Sequence, residues 1–111
     1  MYTVYLADDE QLIREGLAET IPWESLRMRL VGTAEDGRHA LRGIREHKPD
    51  IVLTDIRMPY LDGLELIGKI REVPPSCRVV IISGHGEFTY AQSAIQLGVS
   101  DFILKPVDVT S

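Results

Sequence analysis

The sequence has one cysteine, no long apolar run and no excess of positive charge, and each shortage removes a class of function. Cys77 stands alone in 111 residues, so no intrachain disulfide can form and a reducing compartment is consistent. A lone thiol also cannot complete a zinc site with His39, His47 and His85, which lie in no ligand-like spacing. No segment nears the roughly 20 apolar residues of a membrane span, and the opening "MYTVYLADDE" has no basic stretch leading into an apolar one. A cytoplasmic protein is expected. Twelve basic against seventeen acidic residues give a net charge of −5, the wrong sign for a surface that neutralises a phosphate backbone, so direct nucleic-acid binding by this chain is not expected.

What is present is an ordinary globular composition, 44% hydrophobic and 26% charged, at a length that suits one domain. Short apolar runs recur at "VYLA" (4–7), "LVGTA" (30–34), "IVL" (51–53), "VVII" (79–82) and "FIL" (102–104). Runs without alternation fit strands covered on both faces. Between them lie stretches with helical spacing: Leu12, Ile13, Gly16, Leu17 and Ile21; Ala40, Leu41 and Ile44; Leu64, Ile67 and Ile70; Phe88, Ala91, Ala94 and Ile95. Asp62 is placed to cap the third helix, Glu87 sits in the first turn of the fourth, and Gly98 suits its end. Strand and helix alternate, which predicts an α/β, doubly wound, five-stranded parallel sheet. After the fifth strand the sequence reads "KPVDVTS", so a fifth covering helix is expected to be truncated or absent. With the apolar patch left bare on the first, third and fifth strands, the chain is expected to self-associate, a homodimer being one form, or to borrow cover from a neighbour.

Polar residues follow the strands at one edge: Asp8 and Asp9 after the first, Asp55 after the third, Ser83 after the fourth and Lys105 after the fifth. Under the strand order 2-1-3-4-5, common among doubly wound sheets, these groups converge around Asp55, at the carboxyl edge where open α/β sheets bind ligands. Neighbouring parallel strands lie about 4.8 Å apart, so the aspartates repel one another and invite a cation. An all-oxygen donor set with few ligands suits Mg²⁺, with Mn²⁺ as a substitute. Three aspartates, one divalent cation and Lys105 sum to zero charge, so the site can accept a phosphoryl dianion.

The segments "ADDE" (7–10), "LTDIRMP" (53–59), "ISG" (82–84) and "LKP" (104–106) resemble, in order and spacing, the receiver domain of two-component response regulators. The resemblance runs over essentially all of residues 1–111 and implies a flavodoxin-like receiver fold. It implies Asp55 as phosphoacceptor, with Asp9, Asp55 and the backbone carbonyl of Arg57 as direct metal ligands and Asp8 acting largely through water. It implies Ser83 as switch hydroxyl, Lys105 as phosphate contact and Phe102 as the aromatic that changes rotamer. Arg57 and His85 would project over the approach of water to phosphorus. "IPWESLRMRLVGTAEDG" (21–37) and "SGHGEFTYAQSAIQLGVSDFILKPVD" (83–108) are similar to receivers that precede an AraC-type helix-turn-helix output domain, which this chain does not contain. The partners implied are a sensor histidine kinase and that output domain, and the function implied is a phosphorylation switch that modifies only itself and controls transcription.

Each residue alone has a plainer reading. Phe102 would be core. Asp8 or Asp9 would cap the helix before "EQLIREGL", Asp55 would be the polar end of a strand, Ser83-Gly84 would be a turn and Lys105 a solvated lysine. Those readings together require four coincidences at one sheet edge. An aspartate-nucleophile phosphatase needs a second carboxylate two residues beyond the nucleophile, where Arg57 stands. A flavin module needs donor-rich loops where Asp8, Asp9 and Glu10 stand. A stand-alone receiver acting through protein contacts remains the alternative within the same class.

Overall fold

The computed structural model describes residues 1–72, 77–83 and 101–104, with backbone alone for 83 and 101–104. The elements run β1 Tyr2–Ala7, α1 Gln11–Thr20, β2 Met28–Ala34, α2 Gly37–His47, β3 Ile51–Asp55, α3 Gly63–Arg71, β4 Arg78–Ser83 and β5 Asp101–Leu104. All pairings are parallel, as the alternation of strand and helix predicts, and the sheet order is β2-β1-β3-β4-β5, the order expected of a flavodoxin-like fold. The fourth helical stretch, with Phe88, Ala91, Ala94, Ile95, Glu87 and Gly98, lies outside the described residues. So do residues 105–111, to which the expectation about a fifth helix applies.

Successive residues of β1 feed two cores. Tyr5 and Ala7 join Val52, Val79 and Ile81 beneath α2 and α3, whereas Leu6 joins Leu17 and Ile82 on the α1 side. Burial on both faces explains why the strand sequences show no polar alternation. In α3, Leu66, Ile67 and Ile70 are buried, each contributing about 1.5–3 kcal/mol relative to exposure. Asp62 caps that helix as expected, its carboxylate accepting from the Glu65 N–H while the Glu65 carboxylate accepts from the Asp62 N–H.

One apolar position of the first helical stretch stays outside the core. Leu12 is 86% exposed, because α1 turns a narrow stripe of Ile13, Leu17 and Ile21 to the sheet. At 100° per residue, the neighbour of a stripe residue points away from it. The plain reading of Asp8 and Asp9 as helix caps also fails. Glu10 is the N-cap residue of α1 and makes no side-chain cap bond. Trp23 does anchor the loop after α1, its Nε1–H donating to the Ala18 carbonyl at 3.1 Å and its own carbonyl accepting from the Met28 N–H at 2.8 Å.

Candidate functional site

The carboxyl ends of β1 and β3 are adjacent, with Ala7 opposite Thr54, so the next residue on each chain comes to the same rim. Asp8 extends the β1–β2 pairing by one bond, its N–H donating to the Ala34 carbonyl at 3.0 Å. The chain then turns, and Asp8 Oδ1 accepts from the Glu10 N–H at 2.8 Å while the Asp8 carbonyl accepts from Arg14 Nη1 at 2.8 Å. Those bonds fix a fully buried carboxylate at the mouth of α1. Asp9 and Glu10 are exposed beside it.

Asp55 is the last residue of β3, paired with Ile82. It is 4% exposed, and its Oδ1 accepts from the Ile56 N–H at 2.7 Å. Gly63, at the start of α3, lies against the Asp55 carbonyl so closely that a Cβ there would collide with it, and the Gly63 N–H donates to the Ile56 carbonyl at 2.6 Å. The helix N-terminus thus presses on the strand end from below.

Asp8, Asp9, Glu10 and Asp55 each place a carboxylate oxygen within 4.8 Å of all the others. At an effective dielectric of about 20, a pair of unit charges at that separation repels by roughly 3–4 kcal/mol. Four hard oxygen donors on one side of a shallow rim are the set that Mg²⁺ or Mn²⁺ takes while keeping waters on its other side, so the residues present fit such an ion. The sequence reading of Asp8, Asp9 and Asp55 as neighbours agrees with this geometry. Glu10 was not singled out; the signal available was the unbroken run Asp8-Asp9-Glu10.

Arg57 is exposed on the loop two residues beyond Asp55. Ser83 closes β4 opposite Leu104, so the backbone positions of Ser83 and Leu104 lie at the same rim as Asp55. Phe102 lies two pairings lower, opposite Ile81. The side chains of Ser83 and Phe102, and His85 and Lys105 altogether, lie outside the described residues. A second acidic group, Glu35, Asp36 and His39, gathers at the β2–α2 junction, where a backbone hydrogen bond first, and then His39 Nδ1 at 2.5 Å, hold the Glu35 carboxyl below its usual range.

The sequence pattern of the response regulator receiver domain matches residues 4–111. The chain belongs to that family. It is 48% identical over 106 residues to YesN, an uncharacterised transcriptional regulatory protein of Bacillus subtilis, covering 96% of this chain and 29% of YesN. It is 44% identical over 108 residues to the transcriptional regulatory protein HptR of Staphylococcus aureus, covering 97% of this chain and 42% of HptR. The receiver (REC) domain of AraT, a response regulator from Geobacillus stearothermophilus, superposes with a TM-score of 0.91 at 46% identity, covering 96% of this chain and 83% of that one. This receiver therefore spans less than half the length of those two curated relatives. It belongs to two-component signalling, and proteins similar to it are transcriptional regulators. Among the described residues no helix is long and apolar enough to cross a membrane.

Proposed function

We propose that this receiver is a phosphorylation switch in which Asp55 takes a phosphoryl group from a sensor histidine kinase in the cytoplasm and passes the change to a DNA-binding output domain of AraC type. The observation that carries the reading is a nearly fully buried aspartate at a strand end, gathered with three other carboxylates at the carboxyl edge of a parallel sheet. In this reading Asp8, Asp9, Asp55 and the Arg57 carbonyl hold Mg²⁺. When bound, the ion neutralises charge on the transferring phosphoryl group.

The Asp55 oxygen that does not accept from the Ile56 N–H is the nucleophile. It forms the new P–O bond as the P–N bond of phosphohistidine breaks, and the electron pair stays on the imidazole nitrogen, which takes a proton from solvent. Ser83 and Lys105 answer the added charge, drawing in the loop after β4 and letting Phe102 turn inward. The domain catalyses only its own phosphorylation and dephosphorylation. Arg57 is always cationic and able to pair with phosphate oxygens, and His85 beside a dianion is a poor base, so both shield phosphorus from water and lengthen the life of the phosphorylated form.

Acetyl phosphate with Mg²⁺ should add one phosphoryl group to the chain, mapped by peptide mass spectrometry to Asp55. Undiminished labelling of Asp55→Asn would overturn the assignment. Phosphate release from Arg57→Asn and His85→Glu, alone and together, should be several-fold faster than from the wild type if those side chains shield.

A further inference from the structure

The loop between β3 and α3, residues 56–62, follows directly on Asp55 of the acid cluster and includes Arg57. It is tied to its own ends by the Gly63 N–H donating to the Ile56 carbonyl at 2.6 Å and by the Leu61 N–H donating to the Pro59 carbonyl at 2.8 Å. Its other support is the start of α2. The Gly37 N–H donates to the Pro59 carbonyl at 3.4 Å, and the Leu61 carbonyl occupies the space that a side chain at Gly37 would need. On the outside of this seat the Arg38 guanidinium lies over the Tyr60 ring, 4.2 Å from its centroid.

Tyr60 is an odd residue to find there. It is 74% exposed and its backbone is left-handed, φ 69°, a conformation that a bulky residue adopts only where its surroundings impose it. Burial does not hold the ring, so the guanidinium stack is the described contact that does. The same β2–α2 junction also holds the other side of the cluster, because the Ala34 carbonyl accepts from the Asp8 N–H at 3.0 Å. One junction, residues 34–38, therefore braces both Asp8 and the loop after Asp55.

We infer that the Arg38–Tyr60 stack is a positioning device that holds the 56–62 loop beside the acid cluster, and that it thereby sets the affinity of the cluster for a divalent cation. The second clause rests on the metal reading given above. The sign of the effect separates this role from simple electrostatics. Removing a cation near an acid cluster strengthens cation binding through charge alone, whereas removing a brace weakens it.

Mg²⁺ titration by calorimetry on the chain, with amide hydrogen exchange of the metal-free protein followed by NMR, tests both clauses. An exposed cation–π contact corresponds to roughly two- to fivefold in an equilibrium constant. Arg38→Ala and Tyr60→Ala should each weaken Mg²⁺ binding by about that factor, the double variant no further, while Tyr60→Phe binds as the wild type does. Exchange at the Leu61 and Gly63 amides should quicken in Arg38→Ala with the β3 amides unchanged. Equal or tighter binding in Arg38→Ala, or losses that add in the double variant, would overturn the inference. A wild-type chain that takes up no Mg²⁺ would instead overturn the metal reading and the second clause, and exchange at Leu61 would then decide the brace alone: quickened it stands, unchanged it falls.

Discussion

Asp50 stands immediately before β3 and Asp55 closes it, and the two are treated in opposite ways. At the amino edge Asp50 is an exposed clasp. Its carboxylate accepts from the Thr3 N–H at 2.8 Å and the Thr3 hydroxyl at 3.1 Å, its N–H donates to the Thr3 carbonyl at 3.0 Å, and its carbonyl accepts from the Arg78 N–H at 3.0 Å. One residue thus joins the starts of β1, β3 and β4. The groove around it is lined by Tyr2, Met28, Ile44 and Ile51 and edged by Arg45, Lys48, Lys69 and Arg78, a setting of opposite charge. Five residues later Asp55 is buried and stands among three further carboxylates. Where the acid has cations and donors around it, it closes the structure. Where it has other acids around it, like charges are brought together, and a cation placed among them would lower their repulsion.

The largest effect that separates the two ends is on chemistry. Asp55→Asn should abolish phosphoryl uptake from acetyl phosphate, since no carbonyl amide replaces a carboxylate nucleophile. Asp50→Ala should leave uptake intact and instead lower stability by about 1–2 kcal/mol through lost hydrogen bonds to Thr3. Intact mass and urea unfolding read the two quantities independently. Loss of labelling in a folded Asp50→Ala would erase the division between the edges.

Next in size is the support under Asp55. Gly63→Ala places a Cβ against the Asp55 carbonyl and the Ile56 backbone, which the strand end can relieve only by moving. A cost of about 1–3 kcal/mol is expected for such overpacking, with weaker phosphoryl uptake because the carboxylate moves too. Smaller again is Asp8→Asn, which removes one charge from the cluster while keeping an acceptor for the Glu10 N–H. The metal-free protein should gain about 1–2 kcal/mol, since like-charge repulsion is relieved, and the rise in unfolding midpoint on adding Mg²⁺ should shrink or vanish. A destabilised Asp8→Asn would show that the conflict inferred at this edge is not felt by the fold.

The strands themselves were legible because run ends are written in consecutive residues, whereas the strand order, and with it the meeting of Asp8, Asp9 and Asp55, came from the known order of such doubly wound sheets and from the receiver resemblance. The boundaries shifted slightly: Asp55 and Ser83 close their strands where the sequence suggested that they follow them, since pairing with Ile82 and Leu104 continues past the last apolar residue. What could not be read depends on side-chain direction or on distant loops meeting. Leu12 fits a helical period yet points to solvent. Glu10 joins the acids only because the turn at Asp8 swings it inward. Arg38 and Tyr60 are brought together by Gly37 packing on Leu61, and nothing local in either segment announces the other.

The smallest expected effect concerns a buried acid that belongs to neither edge. Tyr5 lies mid-strand in β1, 4% exposed, with Gly32 and Gly43 leaving room for its ring. Burial first, and then the negative charges of Glu35 and Glu46, lift its phenol above the ordinary value of 10.0. The folded chain therefore holds this proton more tightly than the unfolded chain does. Its contribution is complete below the unfolded value of 10.0 and is lost as pH climbs from there through the raised folded value. At neutral pH Tyr5→Phe gives up only a long hydrogen bond to the Thr33 carbonyl, 3.4 Å, so a change within about 1 kcal/mol is expected. Above about pH 10 the variant should lose stability less steeply than the wild type, read from urea midpoints at matched pH. The contrast with Asp55 is one of neighbours: a solitary buried acid answers burial by keeping its proton, whereas clustered carboxylates have the further option of sharing a cation. Parallel pH profiles for Tyr5→Phe and the wild type would mean that the phenol ionises as freely folded as unfolded, and that burial in this sheet does not by itself govern an acid.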